Sequence, residues 1–323
     1  MKSILSFALA ISLLSMTQAG AQTSPWPPKS VRLIVPYAAG STPDLIGRIL
    51  VDDLAARYPD SRFIVENKPG AGGNTGTDAV AKATPDGSTI GISLGGPLAI
   101  NSLLFSKLPY DPTKDIAPIA MLTSLPSVLV VPASLGADSV ADFIAMLKRD
   151  PAKIAFGSIG AGSLSHLTME AIASSAGVKL THVPYSGSPQ AITAVIRGDV
   201  QAACLPAIAV TPQMSEGKIK ILAVATPKRS RFLPTVPTLK ESGVDVESDA
   251  WNALIAPGGT PQAIIDQINR DVHAILAKPD IRAKLETQMI EPTPSSSQDL
   301  RARMAAEIRL WSDVIAKANI KIN

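Results

Sequence analysis

The chain has 323 residues, 46% of them hydrophobic, and a formal net charge of +3 at pH 7. A charge this small, without a cluster of basic residues among aromatic ones, argues against a nucleic-acid partner. The only cysteine, Cys204, excludes an internal disulfide, and it lies in an apolar context that predicts a buried, inert thiol. The three histidines lack metal-ligand spacing, so we expect neither a metal nor a cofactor.

The amino terminus has the pattern of a secretory signal peptide. Lys2 precedes an apolar run from Ile4 to Met16, and small residues follow at 19–21. A membrane anchor is the alternative, but this run falls short of the roughly 20 apolar residues that span a bilayer. We therefore predict a signal peptide at 1–21, cleavage after Ala21, and a mature chain of net charge +2 in the periplasm, since Lys2 carries the only charge removed.

Apolar runs alternate with helical patterns along the rest of the chain. The runs predict strands at 31–36, 62–66, 89–94, 127–131, 154–157, 200–205 and 219–225. Apolar residues at helical spacing predict helices at 44–57, 75–83, 139–148, 164–174, 189–196 and 261–277. Several strands are apolar on both faces, as in a buried parallel sheet, so the alternation predicts an α/β fold.

The mature chain is long for a single hydrophobic core, which favours two lobes. Proline-containing stretches at 116–126 and 233–237 are candidates for two crossovers between them. We therefore predict one discontinuous lobe formed by 22–124 and 236–323, and a second lobe formed by 125–235.

A glycine-containing turn followed by a helix start recurs at 35–44, 157–163, 183–189 and 258–261. Free backbone N–H groups and the helix dipole make such a start attractive to anions without any basic side chain. In open α/β sheets these turns lie at the carboxyl ends of the strands, where ligands bind. The alternative is that each turn is only a well-capped helix start, and the residues alone leave both interpretations open.

Two motifs suggest enzymes but lack their supporting residues. Gly91–Gly95 matches the nucleophile-elbow pattern G-x-S-x-G around Ser93, yet Gly96-Pro97 delays the following helix and no oxyanion segment precedes it. The glycine-rich stretch at 70–76 fits neither a dinucleotide-binding nor a Walker motif. We therefore expect no catalytic residues, with an exported serine hydrolase kept as an alternative.

The mature chain resembles the Bug family of periplasmic substrate-binding proteins, the receptors of tripartite tricarboxylate transporters. The segments that carry the resemblance are VPYAAGSTPD (35–44), ENKPGAGGNTGTDAVAKATPDGSTI (66–90), KLPYDPTKDIAPIAML (107–122), GSIGAGSLSHLTME (157–170), HVPYSGS (182–188), GDVQAA (198–203), GKIKILAVAT (217–226) and WNALIAPGGTP (251–261). The resemblance implies a two-lobed periplasmic-binding-protein fold of type II-like form, with a carboxylate bound in the cleft between the lobes.

The resemblance also implies the ligand-binding residues. They are Tyr37, Ala39, Gly40, Ser41 and Asp44 on one side, Ser158, Gly160, Ala161, Gly162, Ser163 and His166 on the other, Tyr185, Gly187 and Ser188 on the second lobe, and Asn74 and Ser93 on the first. For Asp44, orienting a ligand and stabilising its own helix are both open. For His166, a structural role in the loop is favoured over direct contact.

Two positions depart from the family pattern. Leu205 stands where many members carry an aspartate, which favours a plain or aromatic carboxylate over an amino acid. Trp251-Asn252-Ala253 replaces a frequent Trp-Tyr-Gly, which leaves the wall near the hinge undefined. The function expected is capture of a small organic anion by a monomer that serves membrane transporter subunits. An exported sensor for a signalling partner is the alternative.

Overall fold

The computed structural model describes residues 26–185, 187–318 and 320. The predicted signal peptide and its cleavage site lie outside the described residues. Within the described part, no helix has the length and apolar character needed to cross a membrane.

The described residues form eleven strands: β1 (Ser30–Val35), β2 (Arg62–Asn67), β3 (Thr89–Leu94), β4 (Ile116–Leu125), β5 (Ser127–Pro132), β6 (Ala155–Ser158), β7 (Thr181–Pro184), β8 (Ala202–Pro206), β9 (Ile219–Val224), β10 (Ala250–Pro257) and β11 (Glu291–Pro292). They also form ten α-helices: α1 (Thr42–Arg57), α2 (Asn74–Ala81), α3 (Asn101–Leu104), α4 (Val140–Arg149), α5 (Leu164–Ser175), α6 (Ser188–Arg197), α7 (Ala207–Val210), α8 (Gln262–Leu276), α9 (Pro279–Glu286) and α10 (Ser297–Ala318). Every strand and helix predicted from the sequence is present, with ends that differ by at most two residues. The prediction missed β4, β7, β10, β11, α3, α7, α9 and α10.

The strands build two separate sheets. The first has the order β11-β4-β10-β3-β1-β2, and the second has the order β7-β6-β8-β5-β9. β2, β1 and β3 are parallel neighbours, as are β7, β6 and β8. The other pairings are antiparallel, so both sheets are mixed rather than parallel throughout. In each sheet, three neighbouring parallel strands therefore have their carboxyl ends on the same side of the sheet.

The stretch 116–126, expected as a crossover, is mostly β4, a ten-residue strand that pairs with β10 and β11. Only Pro126 separates β4 from β5, so the chain passes from the first sheet to the second at this residue. Proline lacks the N–H that a sheet interior requires, which explains why pairing stops there. The crossover expected at 116–126 is therefore limited to Pro126, and the rest of this stretch is a strand of the first sheet.

The chain returns to the first sheet between β9 and β10. Leu239, Val244 and Val246 are buried in the apolar cluster on one face of the second sheet, and Ser248 donates its backbone N–H to Ala225 at 2.6 Å. Residues after 236 therefore still pack on the second sheet before β10 begins at Ala250. The lobe boundary at 235/236 stays a prediction.

Candidate functional site

At the shared end of β1, β2 and β3, the loops after the strands are tied together by hydrogen bonds. The phenol of Tyr37 donates to the carbonyl of Gly72 at 2.9 Å, and Asn67 Nδ2 donates to the carbonyl of Tyr37 at 2.9 Å. Burial raises the pKa of Tyr37 to about 12, so its hydroxyl remains a donor at physiological pH. We call residues 37–44, 67–77 and 93 the first loop cluster.

Asp44 is the centre of the first loop cluster, and its side chain is 3% exposed. Its carboxylate accepts hydrogen bonds from the Gly40 amide at 2.9 Å, from Arg48 Nε at 2.9 Å and from Asn67 Nδ2 at 2.9 Å. Burial by itself raises the pKa of Asp44, but the hydrogen bonds from these donors outweigh it and the pKa is lowered. The carboxylate is thus committed to shaping the loop, which favours the structural role among the two left open by the sequence.

Ser41 precedes α1 as its N-cap, yet its side chain makes no capping hydrogen bond. Its Oγ is buried without a partner among the described residues. The amides in the first turn of a helix have no intrahelical acceptor, and Pro43 removes only one of them. An unpaired hydroxyl and unpaired amides therefore lie together at the start of α1. The exposed Ala39 and Gly40 border a cavity of about 660 Å³, with Arg48 and Lys284 also in its lining.

Asn74 and Ser93 are buried members of the first loop cluster. Asn74 Oδ1 accepts from Asn101 Nδ2 at 2.7 Å and from the Tyr110 hydroxyl at 3.0 Å. The Ser93 hydroxyl is fully buried and lies 2.8 Å from the Thr77 hydroxyl. A serine that is inaccessible and paired with another hydroxyl is not an activated nucleophile. Both residues therefore support the loops, and the hydrolase alternative loses its nucleophile.

The second loop cluster comprises residues 158–166, 182 and 185, at the shared end of β6, β7 and β8. The hydroxyl of Ser158 accepts the Gly160 amide at 3.1 Å, while the Ser163 hydroxyl donates to the Gly160 carbonyl at 2.6 Å. Ser163 also caps α5 by accepting the amide of His166 at 3.3 Å. Ser158 is fully buried, whereas Ala161 is exposed at the tip of the loop. The loop is thus closed by its own hydroxyls.

Two imidazoles lie beneath this loop. His166 accepts the Gly162 amide at Nδ1 at 3.2 Å, and His182 Nε2 lies 2.7 Å from Ser158 Oγ. Desolvation by burial, together with the charge of His166, lowers the pKa of His182 to about 4. His182 was not among the residues predicted from the sequence, although it begins the motif at 182–188. The signal available was its position on β7, one strand away from Ser158.

The segment from the end of β7 to the first residue of α6 contains three more of the predicted residues, Tyr185, Gly187 and Ser188. The amide of Tyr185 donates to the carbonyl of Ser158 at 2.9 Å, which fixes the β7 end against the β6 end. Gly187 is the N-cap of α6 and provides no side-chain cap, and Ser188 is the first residue of the helix. The ring of Tyr185 also lines a groove of about 450 Å³ along α6.

The predicted residues therefore gather into two clusters, one at the end of each sheet. Within the described ranges, no hydrogen bond connects loop 37–44 with loop 158–163. A polar contact occurs instead between the segment after β9 and α9, where Arg231 Nη2 donates to Glu286 Oε1 at 2.8 Å. Nor do the described residues contain a group of three or more histidine, cysteine or acidic side chains arranged for a metal ion.

The two positions that depart from the family pattern are both buried. Leu205 is fully buried in the apolar cluster that includes Ala191 and Val195 of α6, so its side chain faces the core. Trp251 is 1% exposed, and its Nε1 donates to Glu307 Oε1 at 2.7 Å. Trp251 therefore joins β10 to α10 rather than forming an open wall.

The comparisons with known proteins agree on one family. Residues 46–320 match the model of the tripartite tricarboxylate transporter family receptor. Among relatives, a protein from the gbd 5′ region of Cupriavidus necator is 34% identical, over 96% of this chain and 94% of its own length. BugT of Bordetella pertussis is 31% identical, over 92% of this chain and 91% of its own length.

The solved structures point the same way. R. palustris Rpa4515 with adipate superposes with a TM-score of 0.82 at 34% identity, and it covers 92% of this chain and 99% of its own. MatC of Rhodopseudomonas palustris with bound malate has a TM-score of 0.78 at 30% identity, with 90% and 100% covered. The periplasmic binding protein BugD also superposes, with a TM-score of 0.78 at 28% identity and with 92% and 99% covered. These matches confirm the two-lobed α/β fold and the expectation that the chain is not an enzyme. The chain belongs to the tripartite tricarboxylate transporter receptor family.

Proposed function

We propose that this protein captures a small organic carboxylate in the periplasm and presents it to the membrane subunits of a tripartite tricarboxylate-type transporter. In this proposal the lobes are 22–124 with 236–323 and 125–235. The ligand binds between the first and second loop clusters, and binding shifts the protein from an open to a closed form. Such a shift requires the ligand to bind the closed form more tightly than the open one.

The observation that carries the proposal is the start of α1. Ser41 leaves its hydroxyl unpaired and the helix leaves its first amides unpaired, in a loop whose shape is fixed by Asp44. Neutral donors of this kind, with the helix dipole behind them, suit a carboxylate. The uncapped start of α6 at Gly187 provides a similar group of donors on the other sheet. A dicarboxylate has one anionic group for each lobe.

The known structures support this ligand class. Rpa4515 was solved with adipate and MatC with malate, and both are aliphatic dicarboxylates. Leu205 faces the apolar core, so the ligand class rests on these two structures and not on that position. We therefore propose a dicarboxylate without an amino group as the ligand.

A thermal-shift screen followed by calorimetry tests the proposal. The mature protein, stripped of bound ligand by unfolding and refolding, is screened against adipate, malate, citrate, benzoate, aspartate and glutamate. We expect a plain dicarboxylate to raise the melting temperature, because a ligand selective for the folded state stabilises it by mass action. Ser41→Ala should weaken binding, whereas Ser102→Ala, on α3, should not. A flat response to every carboxylate contradicts the proposal, and a response to aspartate or glutamate alone contradicts the ligand class.

A further inference from the structure

The second loop cluster contains a stack of aromatic rings that has no role in the proposed function. His166 and His182 lie face to face, with ring centroids 3.9 Å apart and an interplanar angle of 14°. Phe156 packs beside both imidazoles, with its centroid 5.0 Å from that of His182 and 6.0 Å from that of His166. The two imidazoles come from different elements, α5 and β7, so the fold itself brings them together. His166 is 6% exposed.

Each imidazole contacts a different part of loop 158–163. His182 Nε2 lies 2.7 Å from the hydroxyl of Ser158, at the beginning of the loop. His166 Nδ1 accepts the Gly162 amide at 3.2 Å, near the end of the loop. A ring nitrogen accepts a hydrogen bond only when it carries no proton. The Gly162 contact therefore requires neutral His166 with its proton on Nε2, the atom that lies 3.5 Å from Glu170 Oε1.

The surroundings of the pair contain few ionisable groups. Glu170 of α5 faces His166, and the only ionisable side chain that β8 contributes is Cys204, whose pKa burial raises to about 12. β6 contributes only Ala155–Ser158, and α10 packs Trp311 and Ile315 against Leu167 of α5. Beyond the end of β7, burial raises the pKa of Tyr185, so that side chain is neutral as well. Among the described residues, Glu170 is the carboxylate that contacts the pair, through Nε2 of His166.

We propose that His166 and His182 are positioning residues that hold loop 158–163 in its ligand-binding shape only while both rings are neutral. Protonation of His166 at Nδ1 turns the acceptor of the Gly162 amide into a donor, which breaks that contact. Protonation of His182 at Nε2 turns that nitrogen into a donor, so the Ser158 hydroxyl keeps only the Gly160 carbonyl, at 3.1 Å, as an acceptor. A second positive charge in a stack with a 3.9 Å spacing adds repulsion. Carboxylate binding therefore weakens on acidification, an inference that rests on the proposed function.

Substitutions at these two histidines can keep the hydrogen-bonding group while removing the ability to take up a proton. In His166→Asn the amide oxygen replaces Nδ1, and in His182→Gln the amide replaces Nε2, so both keep a hydrogen-bonding group that does not titrate. His182→Ala removes it. His273→Gln is the matched control, because His273 lies on α8 and contacts the carbonyl of Ser295 at 3.1 Å, away from both loop clusters.

The experiment measures adipate affinity by calorimetry, and amide hydrogen exchange of residues 159–163 without ligand, between about pH 7.5 and about pH 3.5, a range that includes the pKa of His182 at about 4. We expect wild-type protein and His273→Gln to lose affinity and Gly162 protection by about tenfold on acidification, the scale of one hydrogen bond. The His166→Asn/His182→Gln double variant should show a flatter profile on both measurements. His182→Ala should bind more weakly at every pH. Adipate titrates equally in all four proteins, so the differences between them isolate the rings.

The calorimetry and the hydrogen exchange test the proposed ligand class and the role of the two rings separately. If wild-type protein does not bind adipate at about pH 7.5, the proposed ligand class is in question, but hydrogen exchange still decides the role of the rings. Protection of residues 159–163 that is independent of pH in wild-type protein overturns the inference. So does a double variant whose protection and affinity fall as steeply as those of the wild type.

Discussion

The backbone amide of Gly40 donates to the carboxylate of Asp44 at 2.9 Å, and the amide of Gly162 donates to the imidazole of His166 at 3.2 Å. In each case the donor is the residue before the N-cap serine, and the acceptor is the third residue of the following helix. Gly40 and Gly162 have φ angles of 80° and 76°, which favour glycine. The two loop clusters are therefore built by the same local arrangement, with a carboxylate as acceptor in one and an imidazole in the other.

Removal of the acceptor in the first loop cluster should damage both stability and binding. Asp44→Ala deletes the partner of Gly40, Arg48 and Asn67, and several lost hydrogen bonds amount to about 2–3 kcal/mol of unfolding free energy. Adipate affinity should fall because loop 37–44 is no longer held. Urea unfolding and calorimetry measure the two effects. Asp52→Ala, an exposed position on the same helix, is the control and should change stability by less than about 0.5 kcal/mol.

The same carboxylate should make stability depend on acidity. The pKa of Asp44 is lower in the folded protein than its unfolded value of about 3.9, so its contribution is present above that pH and is lost as pH falls through the folded pKa. Unfolding free energy should therefore drop less steeply below about pH 4 in Asp44→Ala than in wild-type protein. Equal slopes for the two proteins contradict this assignment.

A close approach between α2 and the end of β1 should make one glycine irreplaceable. A Cβ added to Gly76 would lie 2.6 Å from Pro36 Cα, a backbone atom that cannot move aside alone. Gly76→Ala should therefore destabilise the protein by about 1–3 kcal/mol, the usual cost of overpacking, and displace the neighbouring Tyr37. Gly96→Ala serves as the control, since its Cβ would meet nothing closer than 3.8 Å. Thermal unfolding compares them, and equal melting temperatures would show that α2 shifts freely.

The sequence predicted seven of the eleven described strands and six of the ten described α-helices, and it did not predict which elements lie next to each other. The spacing of apolar residues predicted β1, β5 and α5, because buried positions repeat with the period of the element. β4 was hidden by Pro118 and by the polar pair Thr123-Ser124 within it. Asp44 and His166 were both recognised as candidates with open roles. Their partners, Gly40 and Gly162, depend on loop dihedral angles that no periodicity encodes. The contact of His182 with Ser158 depends on which strands are neighbours, and sheet order is not a local property.

Ser93 should prove to be a packing residue. Its hydroxyl contacts only Thr77 among the described residues, and it is fully buried. Ser93→Ala should therefore cost about 1 kcal/mol of stability, the scale of one hydrogen bond, and leave adipate affinity nearly unchanged. Thr77→Val should cost more, because the Thr77 hydroxyl also donates to the Gly73 carbonyl at 3.0 Å, and the double variant should not add the two effects in full. Loss of esterase activity in Ser93→Ala, measured with a p-nitrophenyl ester, would instead revive the hydrolase alternative.

At Glu307 on α10, substitution by glutamine should destabilise the protein less than substitution by alanine. The side chain accepts from Trp251 Nε1 at 2.7 Å and from Arg303 Nε at 2.8 Å, and burial raises its pKa. Because the folded state binds this proton more tightly, the charged form costs stability as pH rises from the unfolded value of about 4.3 through the folded pKa.

Glu307→Gln keeps an acceptor for Trp251 without that cost, so it should stay within about 1 kcal/mol of wild type, whereas Glu307→Ala leaves a buried indole N–H unpaired and should lose about 2–3 kcal/mol. Urea unfolding between about pH 4 and about pH 7 tests this, and over that range wild-type protein should lose stability relative to Glu307→Gln as pH rises. Asp313→Ala, at an exposed position of the same helix, controls for changes in helix propensity. If Glu307→Gln proves as damaging as Glu307→Ala, the ion pair with Arg303 is the dominant contact, and the hydrogen bond to Trp251 contributes little to joining α10 and β10.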